Sequence, residues 1–168
     1  MSRSILKAGL LFVIISLFLN NTFAKRVADK TYVSECASCH LAYPSDFLPK
    51  RSWKKMMKGL KNHFGDNAEL DKAEHKYILD FLVKNAAEGS TNKRAVKILR
   101  YMDKGKTPLR ISKLKYILKK HDDLSDKHIK NNPKVKTLSN CKVCHREAEK
   151  GLFDDDDVVI PNFGKWDD

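Results

Sequence analysis

The chain has 168 residues, with 33 basic against 21 acidic side chains and a formal net charge of +12. That length allows one ordinary domain or two small lobes and excludes a large all-protein core, so a bulky cofactor would help fill the interior. The positive charge by itself would suit nucleic acid, but the first residues argue against that partner.

Residues 1–24 read as a signal peptide. Arg3 and Lys7 form a basic start, Leu10 to Leu19 is a ten-residue apolar run, and Thr22 and Ala24 place small residues before a cleavage point after Ala24. A membrane span needs roughly 20 apolar residues, so an uncleaved anchor is the weaker reading. Cleavage leaves 144 residues and removes two basic and no acidic side chains, for a net charge of +10. Export places the chain in the periplasm, away from nucleic acid.

The mature chain divides at Glu88 to Asn92, a polar stretch containing Gly89 and Ser90 that reads as a linker. The expected organisation is an N-terminal lobe over 25–90 and a C-terminal lobe over 91–168. The expected fold class is mainly α, in two small helical lobes. Cys36 and Cys39 open the first lobe, followed by His40. Next, Ser52 can cap a helix in which Trp53, Met56, Met57, Leu60, His63 and Phe64 follow three-and-four spacing, with Gly65 closing it. A second helix runs from about Leu70 to Asn85. A third runs from about Lys93 to Asp103, with Ala95, Ile98, Leu99 and Met102 together. Leu114, Ile117, Leu118 and His121 trace another apolar stripe. A last helix, from Ser139 or Asn140 to before Gly151, carries Cys141, Cys144 and His145. Period-two runs and Asn-Gly or Asp-Gly turns are absent, so no strand is expected. The acidic run Asp154 to Asp157 reads as a solvated loop.

The two Cys-x-x-Cys-His motifs carry the chemistry. Two thiols two residues apart can add across the vinyl groups of one porphyrin, and the following imidazole then lies under the ring as a ligand to iron. Four cysteines in an oxidising compartment would by default form two disulfides, but their arrangement in two Cys-x-x-Cys-His motifs argues otherwise. A zinc site would need both pairs to converge on one tetrahedron. A redox dithiol would need a βαβ setting, which this helical chain lacks. Two covalently bound c-type haems are therefore expected, attached through Cys36, Cys39, Cys141 and Cys144, with His40 and His145 as proximal ligands.

The distal ligand decides between carrier and enzyme, because an open position on the iron can bind or activate small molecules. His63 and His121 point inward on their apolar stripes. His128, among Asp126, Lys127 and Lys130, reads as more exposed, yet remains the alternative to His121. His75 reads as surface. Met56, Met57 and Met102 read as core packing rather than ligands. Two inward histidines for two irons make bis-histidine ligation the simplest assignment, with potentials below those of His/Met cytochromes. The competing reading is a small haem enzyme, a peroxidase or sulfur-compound oxidoreductase, with one open site. In either case Lys54, Lys55, Lys58 and Lys61 form one polar face of the His63 helix. That face is either a docking surface for acidic partners or simply solvated.

With these residues in place the chain resembles the dihaem cytochrome c family. The likeness runs through Glu35 to Pro44, Leu48 to Trp53, His63 to Gly65, Asn85 to Ala87, Pro108 to Ile111, Lys120 to Asp122 and Val135 to His145. It covers nearly all of the mature chain, fitting least well over Lys93 to Gly105. The resemblance implies a two-lobed, mainly helical periplasmic electron carrier with bis-histidine haems. It matches His63 and His121 to the family's distal histidines, His63 paired with His40 and His121 with His145, the crossed pairing being the alternative. It also implies redox partner proteins, another c-type haem protein or a membrane b-type cytochrome.

Overall fold

The computed structural model describes residues 29–166. The signal-peptide expectation for 1–24 lies outside the described residues. Five helices dominate: α1 (Lys30–Cys36), α2 (Lys50–Lys58), α3 (Lys72–Lys84), α4 (Lys93–Tyr101) and α5 (Lys115–Lys119). Short 3-10 turns join them, and a two-stranded antiparallel ribbon, β1 (Val159–Ile160) with β2 (Gly164–Lys165), comes last. The fold is mainly helical. No described helix is long and apolar enough to cross a membrane.

The helices are short because caps and breakers come early. α3 starts where the Asp71 carboxylate accepts from the Ala73 and Glu74 amides at 2.8 Å. α4 starts where the Asn92 side chain accepts from the Arg94 amide. α2 begins two residues before Ser52, on Pro49. Its first amide, Lys50 N–H, donates to the Glu88 carboxylate at 2.9 Å. The cap thus comes from 38 residues away, where no local pattern could reveal it, and Ser52 lies buried inside the helix. α2 then stops at Gly59, so Leu60, His63 and Phe64 follow it in a 3-10 turn and a tight bend. The expected helix over 52–64 is too long for this reason.

α2 packs on α3, α1 packs on α3, and α4 packs on α5. Tyr32, Phe47, Leu48, Trp53, Met57, Ile78, Leu82, Ile98, Ile111 and Leu114 form one core through them. The Trp53 indole N–H donates to the Ser45 carbonyl at 2.6 Å, which satisfies the one polar group on a buried ring. The Glu88 to Asn92 stretch is tied down rather than slack. Ala87 N–H donates to the Leu48 carbonyl and the Ser90 hydroxyl to Asp46.

The structure departs from the expected last helix. Only Cys141–Val143 and Ala148–Lys150 wind, each as a 3-10 turn. Between them His145 pairs with Val158 as an isolated bridge, and Val159 N–H donates to the Cys144 carbonyl. Backbone groups engaged by the ribbon cannot also serve an α-helix. That ribbon was itself unexpected. Its signal is Val158, Val159 and Ile160, a β-branched run followed by Pro161-Asn162 and Gly164, which is a hairpin turn other than the Asn-Gly type. Leu118, expected inward, is 45% exposed, because α5 ends one residue later and its stripe is cut short.

Ile78 is fully buried at the contact of α3 with the core. Ile78→Ala should cost about 2–5 kcal/mol by loss of contacts and cavity formation, read as a lower denaturant midpoint with an unchanged slope.

Candidate haem sites

Tight backbone geometry presents each motif histidine. α1 ends at Cys36, and Cys39 and His40 follow in the turn beyond it. His40 Nδ1 lies 2.7 Å from the Leu41 carbonyl. A carbonyl only accepts, so Nδ1 carries the proton and Nε2 keeps its lone pair for a metal. At the second motif His145 N–H donates to the Cys141 carbonyl, closing a single helical turn over the two cysteines.

Opposite His40 stands His63. Their ring centres are 6.0 Å apart and the planes are 26° from parallel. Opposite His145 stands His121, with ring centres 6.1 Å apart and planes at 79°. Two imidazoles on opposite sides of one metal, each about 2 Å from it, place their ring centres roughly 6 Å apart. Both pairs fit that requirement.

His63 and His121 are held by means that helical periodicity does not describe. His63 heads a four-residue bend closed by mutual backbone hydrogen bonds with Asp66. Its central residues Phe64 and Gly65 have φ of 58° and 116°, the mirror-image turn that suits glycine and strains phenylalanine. Phe64 is held there edge-on to His63 at 4.9 Å and beneath the Arg110 guanidinium at 4.0 Å. His121 lies just beyond α5, where its Nδ1–H donates to the Ile117 carbonyl at 2.7 Å. That fixes the same tautomer as in His40. The Nδ1 atoms of His63 and His145 are buried without a hydrogen-bond partner.

Electrostatics favour neutral imidazole at both sites. Burial lowers the His63 pKa, and a facing His40 charge would lower it further. Burial and the facing His121 bring His145 down to about 4. A neutral ring is the form that binds metal. The cysteines behave in the opposite way from a redox dithiol, whose thiol is acidified. Burial pushes Cys36 up to about 11 and also raises Cys141 and Cys144. None of the four is paired as a disulfide. Among the described residues no three His, Cys, Asp or Glu side chains converge as a zinc site would require. The thiol pairs and facing imidazoles thus fit two flat metal macrocycles.

The other two histidines are occupied elsewhere. His75 Nε2 lies 3.0 Å from the Met57 carbonyl, so it is half-buried rather than on the surface. His128 is 7% exposed, against the expectation that it faces solvent. It packs edge-on against Phe163 and Trp166 and accepts from the Ser125 amide. It faces the carboxy-terminal ribbon and not His145. Met57 is buried, and Met56 and Met102 pack on the core.

The second pair lines a deep cavity shared with Cys141, Cys144, Ile117, Phe153 and Trp166. A shallower cleft brings Cys39 and His40 against Asn140 and Cys141, so the two motifs adjoin. Tyr43 spans the join. Its ring lies 5.3 Å from that of His40, and its hydroxyl donates to the Ser139 carbonyl at 3.1 Å. The residues that sequence patterning passed over are Phe47, Arg94 and Phe153. They gather at the second site through long-range packing and carry no local signal.

A mainly helical fold with two attachment motifs and two facing imidazole pairs defines a c-type haem protein. The dihaem cytochrome c family model matches residues 32–153, and the chain belongs to that family. It carries two c-type haems. A dihaem c-type cytochrome from Shewanella baltica OS155 is 38% identical, with a TM-score of 0.69 over 83% of this chain and 98% of its own. The dihaem cytochrome c from Rhodobacter sphaeroides is 44% identical, with a TM-score of 0.67 over 75% of this chain and 97% of its own. A second structure from that organism, of the protein purified from it, is 40% identical with a TM-score of 0.61, over the same shares. A comparison with curated proteins finds no match.

Tyr43→Phe should lower stability by about 1 kcal/mol through loss of the hydroxyl bond to Ser139, as measured by denaturant unfolding.

Proposed function

We propose that this protein is an exported electron carrier that relays single electrons through two six-coordinate, bis-histidine haems and performs no substrate chemistry. When bound, each haem supplies a one-electron iron couple. Cys36 and Cys39 tether the first and Cys141 and Cys144 the second. His40 with His63, and His121 with His145, would hold the two irons. The observation that carries the reading is the spacing of those rings, 6.0 and 6.1 Å between centres, which leaves neither face of either metal open to a substrate. An enzyme would need one of these rings to swing away. The carbonyls of Leu41 and Ile117 restrain His40 and His121 against that motion.

The adjoining motifs support a relay rather than two independent sites, since electrons can pass where Cys39 and His40 meet Cys141. Lys54, Lys55, Lys58 and Lys61 are all exposed and form no ion pair among the described residues. Lys76, Lys115, Lys130, Lys142 and Lys150 each have an acidic partner. The unpaired face suits an acidic docking partner in the periplasm, another c-type haem protein or a membrane b-type cytochrome, with an encounter rate that falls as salt rises.

The purified protein should show two haems by alkaline-pyridine count, low-spin spectra in both oxidation states, and no carbon monoxide binding when reduced. His63→Ala and His121→Ala should each convert one haem to a high-spin, carbon monoxide-binding form. Carbon monoxide binding by the unaltered protein, or unchanged spin state in both variants, would reject the reading.

A further inference from the structure

Arg94 occupies an unusual position for a cation. It stands in the first turn of α4, and its side chain lines the cavity of the second site together with His121, Cys141, Cys144 and His145. Its guanidinium carbon is 4.8 Å from the centre of the Phe153 ring and 5.5 Å from that of Phe47. The two rings are 5.3 Å from each other, and Phe153 is 5.4 Å from His145. A guanidinium against aromatic faces is fixed in orientation, while its in-plane N–H donors stay free for a planar anion.

Among the described residues no acidic side chain pairs with that fork. The guanidinium makes no hydrogen bond or ion pair among the described residues; only the Arg94 backbone amide is bonded, to Asn92. The acids that act on it from a distance, Asp46 and Asp155, are engaged by Ser90 at 2.8 Å and Lys120 at 2.7 Å. Burial disfavours its charged form. Asp46 and Asp155 favour the charge only from a distance, so a half-buried cation with no paired carboxylate stands in the cavity that Cys141 and Cys144 line. Lys97, one turn further along α4, lines the same cavity at its rim.

We infer that Arg94 is the counter-ion of the second haem, pairing through its planar fork with a carboxylate side chain of that group. The inference rests on the reading that His121 and His145 hold a haem in this cavity. A fixed cation beside the carboxylate favours the reduced form of the couple. Arg94 is a positioning residue that sets the second site's affinity for its electron, leaving the first unaffected.

The test is a redox titration of the two-haem protein, with the couples assigned by the His121→Ala variant, in which the second haem alone becomes high-spin. Arg94→Gln keeps a polar side chain and removes the charge. At a fixed potential it should lower the reduced-to-oxidised ratio of the second haem about tenfold, equal to ~59 mV for a one-electron couple, with the first haem nearly unmoved. Arg94→Lys keeps the charge but not the fork, and should move the same couple in the same direction by less. Should Arg94→Gln fail to accumulate with two haems, Arg94→Lys decides alone. A shift confined to the second haem supports the pairing. No shift, or an equal shift of both couples, overturns it. A haem count other than two in the unaltered protein would instead reject the functional reading beneath it.

Discussion

Two gaps of about one metal-ligand diameter between imidazoles set the terms for everything around them. A chain can hold two near-parallel rings with centres 6.0 Å apart only by fixing each from its own side. Any slack would let one side collapse onto the other or rotate out. Here the rings come from bends and helix ends, where a single backbone carbonyl can lock an imidazole directly. Leu41 does so for His40 and Ile117 for His121. The positive-φ bend at Phe64 and Gly65 does it by geometry for His63. Long helices would move these side chains as a rigid body. Short helices separated by 3-10 turns allow each imidazole to be set separately.

The same requirement shapes the core. One apolar cluster extends from Tyr32 to Leu114 and includes residues from both halves of the sequence. Links between distant segments reinforce it: Glu88 to the start of α2, Ser90 to Asp46, and Tyr43 to Ser139. The last of these joins the neighbourhoods of the two motifs, which share a cleft. The distance between the two sites is therefore set by packing rather than by a flexible hinge.

The second site differs from the first in kind. It is deeper, carries Arg94 against two phenylalanines, and is lined by Val158 and Ile160 at the ribbon and by Trp166. Its imidazole planes stand near perpendicular, where those of the first are near parallel. Two chemically similar groups in one small protein thus have different surroundings.

Sequence determined what depends on covalent spacing and local chemistry. Cys36, Cys39 and His40, and Cys141, Cys144 and His145, could be read directly, because attachment depends on residues a fixed number of bonds apart. The helices α3 and α4 were legible because their caps, Asp71 and Asn92, are local. His63 and His121 could be singled out as inward-facing from periodicity, although neither lies in a helix. Tertiary structure alone decided the rest. The start of α2 depends on Glu88, the motif around Cys144 on the ribbon, the seclusion of His128 on Phe163 and Trp166, and the setting of Arg94 on Phe47 and Phe153. Each of these is a contact between residues distant in the chain, whose energy appears only once the backbone has brought them together, so no window of neighbouring residues contains it.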